Sequence, residues 1–347
     1  MPSYQSPGLT LSLNCTAPRD TIVELQRDLR ALGYLRGGID GSFGPGTQAA
    51  VAALQYDLLH NDGSSKGGDG AAPVAIKSFN GAGGVAPVAA VTGVFDQSLA
   101  ACLVALRGDT RIPTLPEAQD PAAENARAMA AVANSRSTVA PTPFILAIVK
   151  QESSGQHFQL PTHSSSDSFI TVGLDRNNAA SPQQITSRGF GLGQYTLFHH
   201  PPRAEEVADF MLDPVRNVER AQQELRDKFD HFVAGPSDTA DDRLAEHPLI
   251  SLRLCRYQPS DSRYMRDCAN CARAVRTLTL GVGTPFFAGA SGSYQTTQYY
   301  STLPYLNVPD RAEFLCDWPY AVRRYNGSGV NSFHYQTRVL LNLAAQA

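Results

Sequence analysis

Between Thr21 and Leu32 the sequence TIVELQRDLRAL places Ile22, Leu25, Leu29 and Leu32 at the spacing of one helix face. Asp20 or Thr21 can cap this helix, with Glu24 completing a capping pattern, and Gly33 ends it. A tight glycine-punctuated loop, Gly37 to Gly46, leads into a second helix, Thr47 to Leu59, that buries Ala50, Val51, Leu54 and Leu58. After residue 90, VTGVFDQSLAACLVAL partly repeats this stretch. Gly93-x-Phe95 echoes Gly41-x-Phe43, and Leu99, Cys102, Leu103 and Leu106 fall where Thr47, Ala50, Val51 and Leu54 fell. Residues 15–107 therefore predict one three-helix unit built on a half-repeat of turn plus helix.

Residues 60–90 interrupt the repeat with Gly, Ala and Ser and read as a flexible or weakly ordered insertion. Residues 108–121 carry prolines and read as a linker. An Ala-rich helix follows, roughly Ala122 to Asn134. Pro141 and Pro143 then open a further helix, PFILAIVKQESSG. The expected organisation is 1–107, a linker at 108–121, and a second domain at 122–347. The expected class is mainly α.

A chain of 347 residues exceeds what one core usually holds, which agrees with two domains. The net charge of −3 argues against a protein that neutralises nucleic-acid phosphates. No apolar run is long enough to span a bilayer. Met1 to Asn14 has neither a basic n-region nor a sustained apolar stretch, so the expectation is synthesis in the cytoplasm without a signal peptide. Cys255, Cys268 and Cys271 cluster, whereas Cys15, Cys102 and Cys316 stand apart. A structural disulfide, a zinc site lacking a regular fourth ligand (His247 is nearest), and buried free thiols all remain open. His157, His163, His199 and His200 contain no H-E-x-x-H pairing, which argues against a metal-peptidase, and no catalytic metal or other cofactor is expected.

Glu152 is the residue that suggests chemistry. Phe144, Ile145, Ile148 and Val149 share its helix face, and Ser153, Ser154 and Gly155 end the helix directly after it. A carboxylate closing an apolar stripe is desolvated, as a proton donor working near neutrality must be. Further on, Gly191-Leu192-Gly193-Gln194-Tyr195 forms a small-residue loop that lets a polysaccharide approach the backbone. Tyr325-Asn326-Gly327 adds an aromatic face with polar partners.

Two resemblances follow from these motifs. Leu25-Gln26, Leu29, Leu32-Gly33-Tyr34, Asp40-Gly41, Phe43-Gly44, Thr47, Ala50-Val51 and Gln55 are similar to the peptidoglycan-binding domain found at the ends of many wall hydrolases. That resemblance implies wall binding through a module containing Tyr34, Asp40, Gly41, Phe43, Gly44 and Thr47. Glu152-Ser153, Gly191-x-x-Gln194, Asp213-Pro214-x-x-Asn217 and Ala321-x-x-Tyr325-Asn326-Gly327 stand in the order of the soluble lytic transglycosylases and goose-type lysozymes.

The second resemblance implies a lysozyme-like helical catalytic domain with loop insertions. Glu152 would be its acid/base, and Ser153, Gly191, Gln194, Tyr195, Tyr325 and Asn326 would line the glycan groove. The family's transglycosylases use a single carboxylate, whereas a muramidase would need a second, for which the loop 156–186 offers Asp167 and Asp175. A non-catalytic wall-binding protein is the alternative of another class. The expected partner is the peptidoglycan glycan strand. An antibacterial role, as a phage endolysin or a secreted effector with an immunity protein, would carry the protein to the periplasm or wall.

Overall fold

Pro18 enters the first helix, α1 (Arg19–Ala31), which turns Ile22, Leu25 and Leu29 inward. Helix α2 (Pro45–His60) begins on a proline whose missing N–H costs nothing in a first turn. Helix α3 (Gln97–Gly108) is capped by Asp96, whose carboxylate accepts the Leu99 N–H at 2.9 Å. The eight half-repeat positions of α2 and α3 are all buried.

The repeat also extends to hydrogen bonding, which the apolar pattern did not reveal. The Gln26 amide donates to Asp40 Oδ1, the Ser42 carbonyl and Thr47 Oγ1, while its oxygen accepts the Gly41 N–H. Gln55 does the same one helix later. It donates to Thr92 Oγ1 and the Val94 carbonyl and accepts the Thr92 and Gly93 N–H groups. Each glutamine thus satisfies the backbone of the turn that feeds the next helix.

The structure, a computed structural model, describes residues 1–135, 137, 139–231, 261–263, 266, 268, 279–280, 284–285, 318–327 and 330–346. The chain divides into two compact units, residues 1–128 with 156–217 and residues 129–155 with 218–347. That division does not follow the 107/122 boundary expected from sequence. One hydrophobic core runs from Tyr4 through α1–α3 to Phe158, Ile170, Phe190 and Met211.

Two further expectations are corrected. Residues 60–90 are not loose, because Val74, Ile76 and Val88 are buried and the Asn80 side chain bonds both backbone groups of Val88. Residues 108–121 are not a free linker either. Ile112 and Leu115 are buried, the Leu115 N–H donates to the Ala31 carbonyl at 2.9 Å, and the Ile170 N–H donates to Pro116. In both stretches a few widely spaced apolar residues find the core, and glycine or proline between them only sets the path.

The segment after residue 156 supplies an antiparallel sheet of β1 (Val172–Asp175), β2 (Ser187–Phe190) and β3 (Tyr195–Leu197), in that order. Val172 pairs with Phe190 and Asp175 with Ser187, while Phe190 pairs with Tyr195 across a tight turn. Buried side chains fasten this segment to α1 and α2. Arg30 pairs with Asp167, and Arg188 donates to the Gly33 carbonyl and Asp57 while lying 5.2 Å over the Tyr34 ring.

Helix α4 (Pro121–Asn134) leads to the second unit, in which α5 (Thr142–Ser153) buries Phe144, Ile145, Ala147, Ile148 and Val149. Its C-terminus closes on Ser154 and Gly155, both at positive φ. Helix α6 (Pro214–Phe229) stacks Phe229 on Trp318 of α7 (Trp318–Tyr325), with ring centroids 4.2 Å apart. Helix α8 (Val330–Ala344) packs on α5 and buries Tyr335, Val339, Leu340 and Leu343, a helical stripe.

Among the described residues no helix is long and apolar enough to cross a membrane. Cys15 and Cys102 form no disulfide, and Cys268 is buried. Cys255, Cys271, Cys316, His247 and most of residues 245–315, which the sequence suggests are inserted, lie outside the described residues. No cluster of His, Cys, Asp and Glu able to hold a metal occurs among the described residues.

Candidate functional site

In the second unit, Glu152 sits in the last turn of α5, half-buried, with the apolar face of the helix behind it. Ser153 is buried because its hydroxyl turns back to the Val149 carbonyl at 3.0 Å, so it finishes the helix and does not face outward. The partner that sequence reasoning missed is Tyr335 of α8, whose phenol O–H donates to Glu152 Oε1 at 2.5 Å. Burial, then the Glu152 charge, drives the Tyr335 pKa well above its usual value, so Tyr335 remains a donor. Tyr325, at the end of α7, lies nearly parallel to the Tyr335 ring, 6.4 Å away and tilted by 16°. Asn326 is exposed just beyond it. The one available signal for Tyr335 was its place in the buried stripe of α8, where a phenol among aliphatic residues needs a polar partner.

The first unit holds the other motifs. Asn217 is fully buried and spans the β2–β3 turn, accepting the Gly193 N–H and donating to the Phe190 carbonyl, both at 2.8 Å. Asp213 caps the helix that carries it, accepting the Val215 N–H at 2.9 Å. The D-P-x-x-N spacing is thereby explained, since the cap starts the helix and Asn217, one turn on, faces the turn. Gln194, at φ +50°, donates its amide to the Gly191 and Thr171 carbonyls. Its side-chain oxygen fills the space that Cβ atoms at Gly173 and Gly189 would need. Gln194 therefore braces the hairpin with its own amide. Gly191, at φ +71°, leaves room for His157 and Asn217. Tyr195 packs edge-on to Phe210 at 4.9 Å.

The two candidate second carboxylates separate clearly. Asp167 is only 2% exposed and its carboxylate is committed to Arg30. Asp175 ends β1 in solvent, accepting the Ser187 hydroxyl at 2.9 Å.

Most of the wall-module signature forms the fold. Tyr34, Phe43 and Thr47 are buried, and the Tyr34 hydroxyl donates to Asp57 at 2.9 Å. Burial raises the Asp57 carboxyl, against the opposing charge of Arg188. Gly41, at φ +76°, permits the turn beside Arg19, and Gly44 is the N-cap of α2. Only Asp40 is exposed, and its carboxylate accepts from Gln26 and the Ser42 N–H. Three histidines lie inside this unit. His157 bonds the Met211 carbonyl through Nε2, and burial pushes its pKa down to about 4. His200 is buried and also lowered, by burial first. His199 bridges Asp69 and Glu206 at 3.0 Å each; burial depresses its pKa, but the two carboxylates outweigh burial and raise it.

Residues 18–58 match the model of a family described as "Putative peptidoglycan binding domain". The match covers α1, the following turn and nearly all of α2, and it supports association with peptidoglycan. No curated protein matches the chain, and no solved structure does.

Proposed function

We propose that the protein cleaves peptidoglycan glycan strands at the β-1,4 bond between N-acetylmuramic acid and N-acetylglucosamine, with Glu152 as general acid and base. The observation that carries this reading is the setting of Glu152, a half-buried carboxylate that ends an apolar helix face and accepts a phenol hydrogen bond from Tyr335. The family match at residues 18–58 supplies the substrate class.

In the transglycosylase form of the reaction, the Glu152 carboxyl gives its proton to the glycosidic oxygen as the C1–O bond breaks. The C6 hydroxyl of the same muramic acid then bonds to C1 and returns its proton to Glu152, which leaves a 1,6-anhydro end and consumes no water. A muramidase would need a second carboxylate to activate water. The commitment of Asp167 to Arg30 favours the single-carboxylate form and leaves Asp175 as the alternative. The proposed setting is the periplasm or wall, reached by phage-type release or by export as an antibacterial effector. An immunity protein would be the partner in the latter case.

Clearing of purified cell walls tests the reading. Wild type is expected to clear the suspension and Glu152→Gln to lose at least a hundredfold in rate, with anhydro sugar ends in the mass spectrum of the products. Reducing ends would select the muramidase. Wall binding without clearing by either protein would select a non-catalytic binding protein.

A further inference from the structure

A cavity of about 150 Å³ opens in the first unit between the end of α2, the start of the 60–90 insertion and the β2–β3 hairpin. Tyr56 and Asp57 are its only residues within the family-matched segment; the rest come from the insertion and from residues 184–200. We infer that this cavity is a saccharide subsite that holds one sugar ring of a glycan chain. The inference rests on the reading of the protein as a wall-glycan binder but not on Glu152.

Three observations carry it. The first is Phe198, which is 42% exposed yet held rigidly at its backbone. Its N–H donates to Asp69 Oδ2 at 2.8 Å and its carbonyl accepts the Lys66 N–H at 3.4 Å, both partners lying in the insertion. Its ring also occupies the space that any side chain at position 67 would need, so Gly67 makes room for it. An aromatic ring fixed in place and left open to water offers a flat apolar face without an ordering cost on binding. The second is the Tyr56–His60 pair across the cavity, with ring centroids 4.5 Å apart, a second aromatic surface.

The third observation is the balance of charge. Asp57 is already matched by Arg188 and the Tyr34 hydroxyl, and exposed Asp62 and Lys66 carry opposite signs. A phosphate would meet carboxylates here, and a cation would meet Lys66 and Arg188. Neutral hydroxyl and amide groups instead find acceptors in the Ser64 and Thr186 hydroxyl oxygens, whose own hydrogens go to Asp62 and the Asp175 carbonyl, and a donor in the Lys66 ammonium. Aromatic faces with polar groups of balanced charge suit a pyranose, whose C–H faces are apolar and whose rim is polar.

The test uses the full chain carrying Glu152→Gln, so that cleavage cannot consume the probe, titrated with the trimer of N-acetylglucosamine and followed by NMR. The expected result is shifted amide signals in residues 56–66 and 184–200, with affinity at least fivefold weaker in Phe198→Ala and in Lys66→Met. Lys66 is exposed, so its replacement keeps the test valid if Phe198→Ala fails to fold. Shifts confined to other residues, no binding, or equal affinity in the variants overturns the subsite. Sedimentation of the same chain with purified walls separates the two ideas. Sedimentation unchanged in both variants, with no trimer binding, sinks the subsite and leaves wall binding intact. Trimer binding in the cavity without sedimentation supports the subsite and sinks the wall-glycan reading.

Discussion

The Tyr335 hydroxyl donates to Glu152 Oε1 at 2.5 Å, joining α5 and α8 through two residues 183 positions apart in the chain. This bond favours the charged carboxylate over its protonated form. If Glu152 must deliver a proton, Tyr335→Phe should move the basic limb of the pH–rate profile of wall clearing to higher pH. A profile of unchanged shape, with clearing merely scaled down, would reduce Tyr335 to a packing residue.

Asp167 and Asp175 were equivalent candidates in the sequence and should behave in opposite ways. Removing one partner of a buried ion pair strands the other charge, at a cost of about 3–5 kcal/mol. Asp167→Ala should therefore lower the unfolding free energy by that amount, through the loss of its bond to Arg30. Exposed Asp175→Ala should fall within about 0.5 kcal/mol of wild type. Urea denaturation of both variants checks the contrast, and a harmless Asp167→Ala would contradict the buried pair.

His157 makes stability depend on acid. Burial holds its pKa at about 4, below the roughly 6.5 of an unfolded chain, so its contribution is present above pH 6.5 and is lost as pH falls toward 4. The stability advantage of wild type over His157→Gln should shrink by about 3 kcal/mol between pH 7 and pH 4. A pH-independent advantage would mean that the imidazole is not buried as described.

His199 has the opposite sign. Its pKa is raised by Glu206 and Asp69 against burial, so the bridge stabilises fully below the unfolded pKa and weakens as pH rises through the folded one. Because the bridge ties the insertion to the residues after β3, hydrogen exchange of residues 65–72, corrected for the intrinsic rise of amide exchange with pH, should quicken above neutrality. Glu206→Gln should quicken it at all pH values. Exchange that is flat with pH in wild type would exclude this tie.

The two glutamine clamps predict matched effects. Gln26→Leu leaves the Gly41 amide, and Gln55→Leu the Thr92 and Gly93 amides, without their acceptor, each costing about 1–3 kcal/mol. Equal losses in melting experiments would show the half-repeat energetically. A neutral Gln55→Leu would limit the repeat to its apolar positions.

Much of this was legible along the chain. The half-repeat and the apolar face leading to Glu152 are local patterns, set by helical periodicity and by glycine at positive φ, and the structure places them as the pattern implies. The cap expected at Asp20 or Thr21 does not form, because α1 already starts at Arg19 after Pro18 and Glu24 bonds Ser3 instead. The match at residues 18–58 falls on the same glycines and aromatics. Several signature residues have a structural role, however. Tyr34, Phe43, Thr47, Asn217 and Gln194 hold turns and core together, so their spacing reported the fold before any ligand.

The sequence by itself determined the helices of residues 19–60, 97–108 and 121–153, the place of Glu152 in the last turn of α5, and the likeness of α1 and α2 to a peptidoglycan-binding domain. Those features depend on residues a few positions apart. Only the tertiary structure decided that residues 156–217 share a core with the N-terminal helices, that Asp167 belongs to Arg30, and that Tyr335 belongs to Glu152. Each of these pairs residues more than a hundred positions apart, and such pairing follows from packing and desolvation in the folded chain, which no local periodicity encodes.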